Sequence, residues 1–282
     1  MKTAINTTLL SALLLTTALP ASASLIVTYA ENPNATTTSL GNTNTFNFDN
    51  LATGYDNNVS WSGVGSFDSL YVKGTDIYGG AVDAGNPNGS KYSLQGAGTG
   101  VLNSTLTLNH NSSYFGMWWS AGDASNTLKF YEGSTLVSTF TTGSLMSDLS
   151  SSYYGNPKDR TMDRGEPFGF INFFGDPNTK WDKVVLSNNN SSGFESDNYT
   201  TRTTAWNPMV DGVLPGLPVA MVNGTTTTRV TKASLAGTRW SQGASTHVGS
   251  APGAPAPPVT LLAAFAGVIG LRQARTRLRK AA

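Results

Sequence analysis

From about residue 25 to residue 207 the apolar positions come in short runs that alternate with polar ones, and no long stretch repeats them with a helical period. Alternation sends successive side chains to opposite faces of an extended backbone, so each run predicts a strand with one face in a core. The runs are 45–51 (TFNFDNL), 101–110 (VLNSTLTLNH), 114–120 (YFGMWWS), 126–133 (NTLKFYEG), 134–142 (STLVSTFTT), 167–175 (PFGFINFFG) and 181–188 (WDKVVLSN). Gly, Asn, Asp and Pro gather between them, where the chain has to turn. Glu132-Gly133 sits between two alternating runs and predicts a β-hairpin over 126–142, because glycine takes the positive φ of a tight turn. Asp176-Pro177-Asn178 predicts a turn between two further strands, and the second half then reads as a chain of hairpins. Many short strands of this kind predict an all-β fold, an antiparallel β-sandwich or jelly roll, over 24–207.

Two stretches break the pattern. Residues 56–100 are glycine-rich, with too little apolar material for a second core, and read as long loops over one edge of the sandwich. Residues 208–252 hold a run of four threonines and then Gly, Ala, Ser and Pro; they read as an extended stalk, with one strand available at 218–222.

The two ends are different again. Residues 1–23 place Lys2 before an apolar run over 9–19, then small residues at Ala21 and Ala23. That is the three-part plan of a secretory signal helix cut after Ala23 by signal peptidase. At the other end, residues 253–282 begin with a proline cluster, continue as thirteen apolar-rich residues over 259–271, and finish with Arg272, Arg275, Arg277, Arg279 and Lys280. Thirteen residues is short against the roughly 20 of a transmembrane helix. Snorkelling arginines lengthen the span, and the cations hold that end on the cytoplasmic side of the inner membrane. The body would then lie outside, tethered by its tail.

Charge supports this division. The chain of 282 residues carries a formal +1, but six of its eighteen cations lie in the two end segments. The remaining twelve face all seventeen acids, so the body carries about −5, which argues against a nucleic-acid-binding surface. There is no cysteine, which removes disulfides, thiolate metal sites and a cysteine nucleophile.

The tail, with its proline-led start at Pro255-Ala256-Pro257, short apolar helix and basic end, resembles the sorting tail of PEP-CTERM proteins, which an exosortase recognises in many bacteria. It departs from that family in having Ala256 where the motif carries glutamate. The body is similar over 114–198, in the order YFGMWWSAGDASNTLKFYEGSTLVSTFTT, PFGFINFFG, WDKVVLSN and GFESDN, to the β-domain of exosortase-dependent surface proteins. The resemblance implies a jelly-roll domain like a carbohydrate-binding module, an extracellular or cell-surface place, and no transferable activity.

For catalysis, His110 and His247 are the two histidines, and no glycine-flanked serine supports a triad. Glu166 and Glu195 are the candidate pair for carboxylate chemistry on a glycan. Calcium is a candidate ion: Asp49, Asn50, Asp83, Asn86 and the stretch from Glu195 to Asn198 supply oxygen ligands, and in a jelly roll Asp49 and Asp197 are expected to meet. Trp118 and Trp119 are adjacent on one strand and must face opposite ways, one into the core and the other either beneath loops or open as a glycan-stacking platform joined by Trp61, Tyr71 and Tyr78. The sequence therefore predicts an exported, non-enzymatic surface or matrix protein that takes polysaccharide as a candidate ligand. A glycan-active hydrolase and a ligand-free coat protein are the alternatives.

Overall fold

Starting at Ser24, SLIVTY places five buried residues in a row and opens the first strand. The computed structural model describes residues 24–189 and 192–241. The signal segment and the tail, with Ala23, Pro255, Ala256, Pro257, Arg272, Arg275 and Arg277, lie outside the described residues.

The fold is all-β. Its strands are β1 (Ser24–Tyr29), β2 (Asn44–Phe46), β3 (Gly54–Trp61), β4 (Gly65–Lys73), β5 (Tyr92–Gly96), β6 (Asn103–Ser112) and β7 (Tyr114–Ser120). They continue as β8 (Thr127–Glu132), β9 (Thr135–Thr141), β10 (Gly169–Gly175), β11 (Trp181–Ser187), β12 (Gly193–Arg202), β13 (Leu217–Asn223) and β14 (Thr226–Arg229). All belong to one antiparallel sheet in the order β14-β13-β1-β10-β7-β12-β5-β4-β6-β11-β8-β9, with β2 added on β12 and β3 on β4.

The hydrogen-bonded ladder is therefore continuous rather than split in two. β5 bonds to β12 on one edge and to β4 on the other, which carries the ladder across the place where a sandwich would divide. At the far ends, Thr139 N–H of β9 donates to Gly224 O, between β13 and β14, at 2.8 Å. That contact leaves the sheet nearly closed into a barrel. β3 has β4 as its neighbour, and its ladder skips Asn58, which sits at φ 54°.

Consecutive strands are often not neighbours. One residue, Ser113, separates β6 from β7, yet β6 pairs with β4 and β11 while β7 pairs with β10 and β12. The hairpin expected over 126–142 forms as β8–β9, with Gly133 at φ 59°. The turn at Asp176 also forms, Thr179 N–H donating to Asp176 O at 2.9 Å. It leads from β10 to β11, which do not pair, so the chain of hairpins does not extend through the second half. Inward residues from both parts of the sheet meet in one core. Phe173 of β10 lies 5.2 Å from Phe130 of β8 and 5.3 Å from Phe140 of β9 between ring centroids, tilted and edge-on as ring quadrupoles favour.

Two expectations are corrected. Residues 56–100 contain β3, β4 and β5 as well as loops, because Val59, Trp61, Phe67, Leu70 and Val72 reach the core between Asp, Asn and Ser residues that face outward. The predicted stalk packs on the sheet as far as Ser241. The strand expected at 218–222 is β13, which pairs with β1 and carries β14. Beyond it Val230, Leu235 and Trp240 are buried with Trp206, whose ring stacks on Trp240 at 5.7 Å. Residues 242–252 lie outside the described residues.

Candidate functional site

The inner face of β1, β10 and β7 feeds the core, and the outer face is covered by irregular chain, so every residue of β7 and β10 is buried. Two polar groups lie on that covered face, and they have different chemistry.

The first is built around Asn172, the one amide in the run FGFINFFG. Asn172 pairs across the ladder with Gly116, which has no side chain, so the ring of Tyr114 can lie in that space. A Cβ at Gly116 would collide with the Tyr114 hydroxyl and lie 2.8 Å from the Phe170 ring. Tyr114 therefore donates its hydroxyl hydrogen to Asn172 Oδ1 at 2.8 Å, Asn172 Nδ2 donates to Thr28 Oγ1 at 3.1 Å, and Thr28 donates to Pro215 O at 2.6 Å. Burial raises the Tyr114 phenol well above its ordinary value, so it stays a donor. Over Asn172 opens a cavity of about 320 Å³ between the segments 30–39 and 213–216.

The second group is acidic. Glu195 of β12 stands across from Ser120 of β7 and folds back over Gly193, where a Cβ would collide with its carboxylate. It is 8% exposed. Burial first, with the nearby charges of Glu166 and Asp123 adding to it, pushes Glu195 up to about 8. Glu166 is raised as well, by burial and by its hydrogen bond with Asp163. Asp163 is raised by burial and by Asp76. Asp76 is held in turn by Lys73 at 2.7 Å and by the Tyr92 hydroxyl at 3.0 Å. Asp123 accepts from Ser125 N–H at 2.6 Å and from the hydroxyls of Ser125 and Ser192. Chemically, Glu195 holds a proton at neutral pH. The fold brings Glu166 and Glu195, the pair expected to do carboxylate chemistry, within electrostatic reach, but it buries Glu195 where a glycosidic bond cannot approach without movement of the covering chain.

The oxygen ligands considered for calcium also meet, in another way. Asp49 accepts from Asn86 Nδ2 at 3.1 Å and from Lys91 N–H at 2.9 Å, while Lys91 Nζ donates to Asp49 O and Leu51 O at 2.9 and 2.6 Å. The Lys91 ammonium thus stands among the carbonyls an ion would use. Asp83 caps its own turn at Gly85 and Asn86. Asp197 lies close enough to Asp49 to feel its charge, and accepts from Ser90, from Ala81 N–H and from Asn198 N–H. Burial raises Asp197 to about 6 against the pull of those three donors. These carboxylates pin the loop 74–91 to the sheet. Among the described residues no group of three or more His, Asp or Glu is arranged to hold a metal.

Trp118 and Trp119 do face opposite ways, Trp119 into the main core and Trp118 against Phe168 on the covered face, and both are 0% exposed. As placed, neither offers a face for a glycan to stack on. Trp61 is buried in a stack with Phe67, and Tyr78 is 43% exposed. His110 is exposed near the end of β6, and His247 lies outside the described residues. The pattern of the chain does not announce the pocket over Asn172; the one signal that marks it is a lone amide between Ile171 and Phe173 in an otherwise apolar strand. No family model matches the chain, and no curated protein matches it.

Proposed function

We propose that the chain is an exported protein of the bacterial surface or extracellular matrix. In this reading signal peptidase cuts after Ala23, and an exosortase acts at Pro255-Ala256-Pro257 while the apolar tail holds the chain in the inner membrane. The β-domain works outside as a non-catalytic element that holds polysaccharide. For the finer architecture we propose a jelly roll of the carbohydrate-binding-module type, a reading supported by the passages of the chain across the sheet at Ser113 and Asp176.

The observation that carries the proposal is the seat of Ser24. Its N–H donates to Thr179 Oγ1 at 3.0 Å, its hydroxyl to Asp176 Oδ2 at 3.0 Å, and Asp176 N–H donates back to Ser24 O at 3.2 Å. A chain cut after Ala23 would begin on the first residue of β1, with its new ammonium beside a carboxylate. Intact mass and fractionation of the native protein, in cells with and without the exosortase, test the reading. It requires a mass that starts at Ser24 and ends near Pro257, and a surface location that depends on the enzyme. A mass retaining Lys280, or the same behaviour in both strains, refutes sorting.

The proximity of Glu166 and Glu195, both with raised proton affinity, favours a second reading as a glycan-active hydrolase. Exchanging each for glutamine separates the two, since a binder keeps its affinity and a hydrolase loses turnover.

A further inference from the structure

We infer that the cavity over Asn172 is a binding site for one neutral hexose unit of a polysaccharide. The inference rests on the surface-protein reading for the choice of a glycan, and deepens it by naming the site and the class of sugar.

Size comes first. At about 320 Å³ the cavity is at the lower end of small-molecule sites, which run from about 300 to 1,000 Å³. It suits a single ring and not a segment of chain. Its walls have two characters. One is apolar, formed by Val213, Leu214 and Pro215; the other carries hydroxyls and an amide from Asn32, Thr37 and Ser39. A pyranose ring has the same division, with C–H groups on its faces and hydroxyls around its edge.

The polar wall has capacity to spare. The hydroxyls of Thr37 and Ser39 have no hydrogen-bond partner among the described residues, and Asn32 uses its Oδ1 on Asn34 N–H at 3.0 Å and leaves its amide N–H groups unpaired among them. At the base, Asn172 is 1% exposed and locked between Tyr114 and Thr28. Its Oδ1 and its Nδ2 each make one side-chain bond, so one N–H and one lone pair remain for a ligand hydroxyl. A base fixed in this way is set before the ligand arrives, which lowers the ordering cost of binding.

Charge selects among sugars. The one ionised side chain in the lining is Glu31, which is paired with Lys232 at 2.8 Å on an exposed rim. No cation is among the lining residues and the Lys232 ammonium at the rim is held by Glu31, so phosphate, sulfate and uronate groups meet no free counter-charge there and a carboxylate nearby. Neutral hexoses are the class that fits.

The test uses the full-length chain in mild detergent, titrated with methyl glycosides of glucose, galactose, mannose and N-acetylglucosamine, and with glucuronate and inorganic phosphate, by saturation-transfer NMR and calorimetry. A ligand of this size with few polar contacts is expected to bind with a Kd on the order of 1 mM. Ala35→Phe, which fills the cavity, is expected to weaken binding by at least about tenfold. Val213→Asp changes a side chain that is 59% exposed and so leaves the fold intact, and should weaken it similarly by placing charge on the apolar wall. The inference is overturned if the folded protein shows no saturable binding of any neutral hexoside, if binding survives both variants unchanged, or if glucuronate or phosphate binds more tightly. Because the titration uses purified protein, its failure is separate from a failure of sorting, which the fractionation experiment reads.

Discussion

Replacing Glu195 with glutamine isolates the free energy of an ionised carboxylate beneath the covering chain. The unfolded carboxyl has the ordinary value of 4.5, and in the folded domain burial pushes it up to about 8. Below about pH 4.5 both states hold the proton and the group contributes no pH dependence. Between 4.5 and 8 the folded state keeps a proton that the unfolded state has lost, so stability falls as pH rises, by about 1.4 kcal/mol per unit for one proton. Across this window the loss amounts to about 3–5 kcal/mol, and above about pH 8 it is complete. Glutamine has nearly the same shape and does not ionise. Urea unfolding of both proteins at pH 5, 7 and 9 measures the difference directly. The two should agree within about 1 kcal/mol at pH 5, and Glu195→Gln should be ahead by at least about 3 kcal/mol at pH 9. The other raised acids, Asp163, Glu166 and Asp197, are present in both proteins and cancel. A difference independent of pH, or a variant weaker at pH 9, would refute the reasoning.

Four further outcomes follow from other contacts. Arg202 and Asp211 form a bidentate pair at 2.7 and 2.8 Å with 6% and 9% of their side chains exposed, so Asp211→Asn should cost about 3–5 kcal/mol and lower Tm by roughly 10 °C in calorimetry. Gly116→Ala should cost about 1–3 kcal/mol and displace Tyr114 from Asn172, which a crystal structure of the variant would show. Lys91→Met leaves Asp49 O and Leu51 O without their ammonium; hydrogen exchange should quicken over 74–91 while β7 and β10 remain protected. For a chain beginning at Ser24, Asp176→Asn should cost about 1 kcal/mol, and acetylating the α-amine should cancel most of that effect in a thermal melt.

How far the amino-acid pattern reveals the fold differs from strand to strand, and the difference has a physical cause. YFGMWWS gives β7 with both bounds correct, and STLVSTFTT gives β9 nearly so, since their apolar residues announce burial. GFESDNYTTR gives no such signal, although nine of its ten residues are buried in β12. Its Glu, Ser, Asp and Thr are covered by loops and bonded to partners up to 162 residues away, as Asn198 is to Thr36 O at 3.0 Å. Long-range covering of a polar strand has no local period. β3 and β4 are hidden because glycine and asparagine dilute their alternation. At the sites, Glu166 and Glu195 can be picked out as acids, but their meeting depends on a loop folding over a sheet. Asn172 stands out in its strand, whereas the walls of its cavity come from segments nearly 180 residues apart and leave no mark in either one alone.

A folded domain at high local concentration collides with its own copies, and an open strand edge is where such copies would join. This chain has no disulfide to hold such an edge shut. The Thr139–Gly224 bond ties β9 to the turn between β13 and β14. Off that ladder β3 pairs with β4 alone, and its outer rim is kinked by Asn58 in a left-handed conformation and carries Asp56. A straight partner strand cannot stay in register across that kink. Straightening it, for instance with Asn58→Val, should present a regular edge on which a second copy can pair.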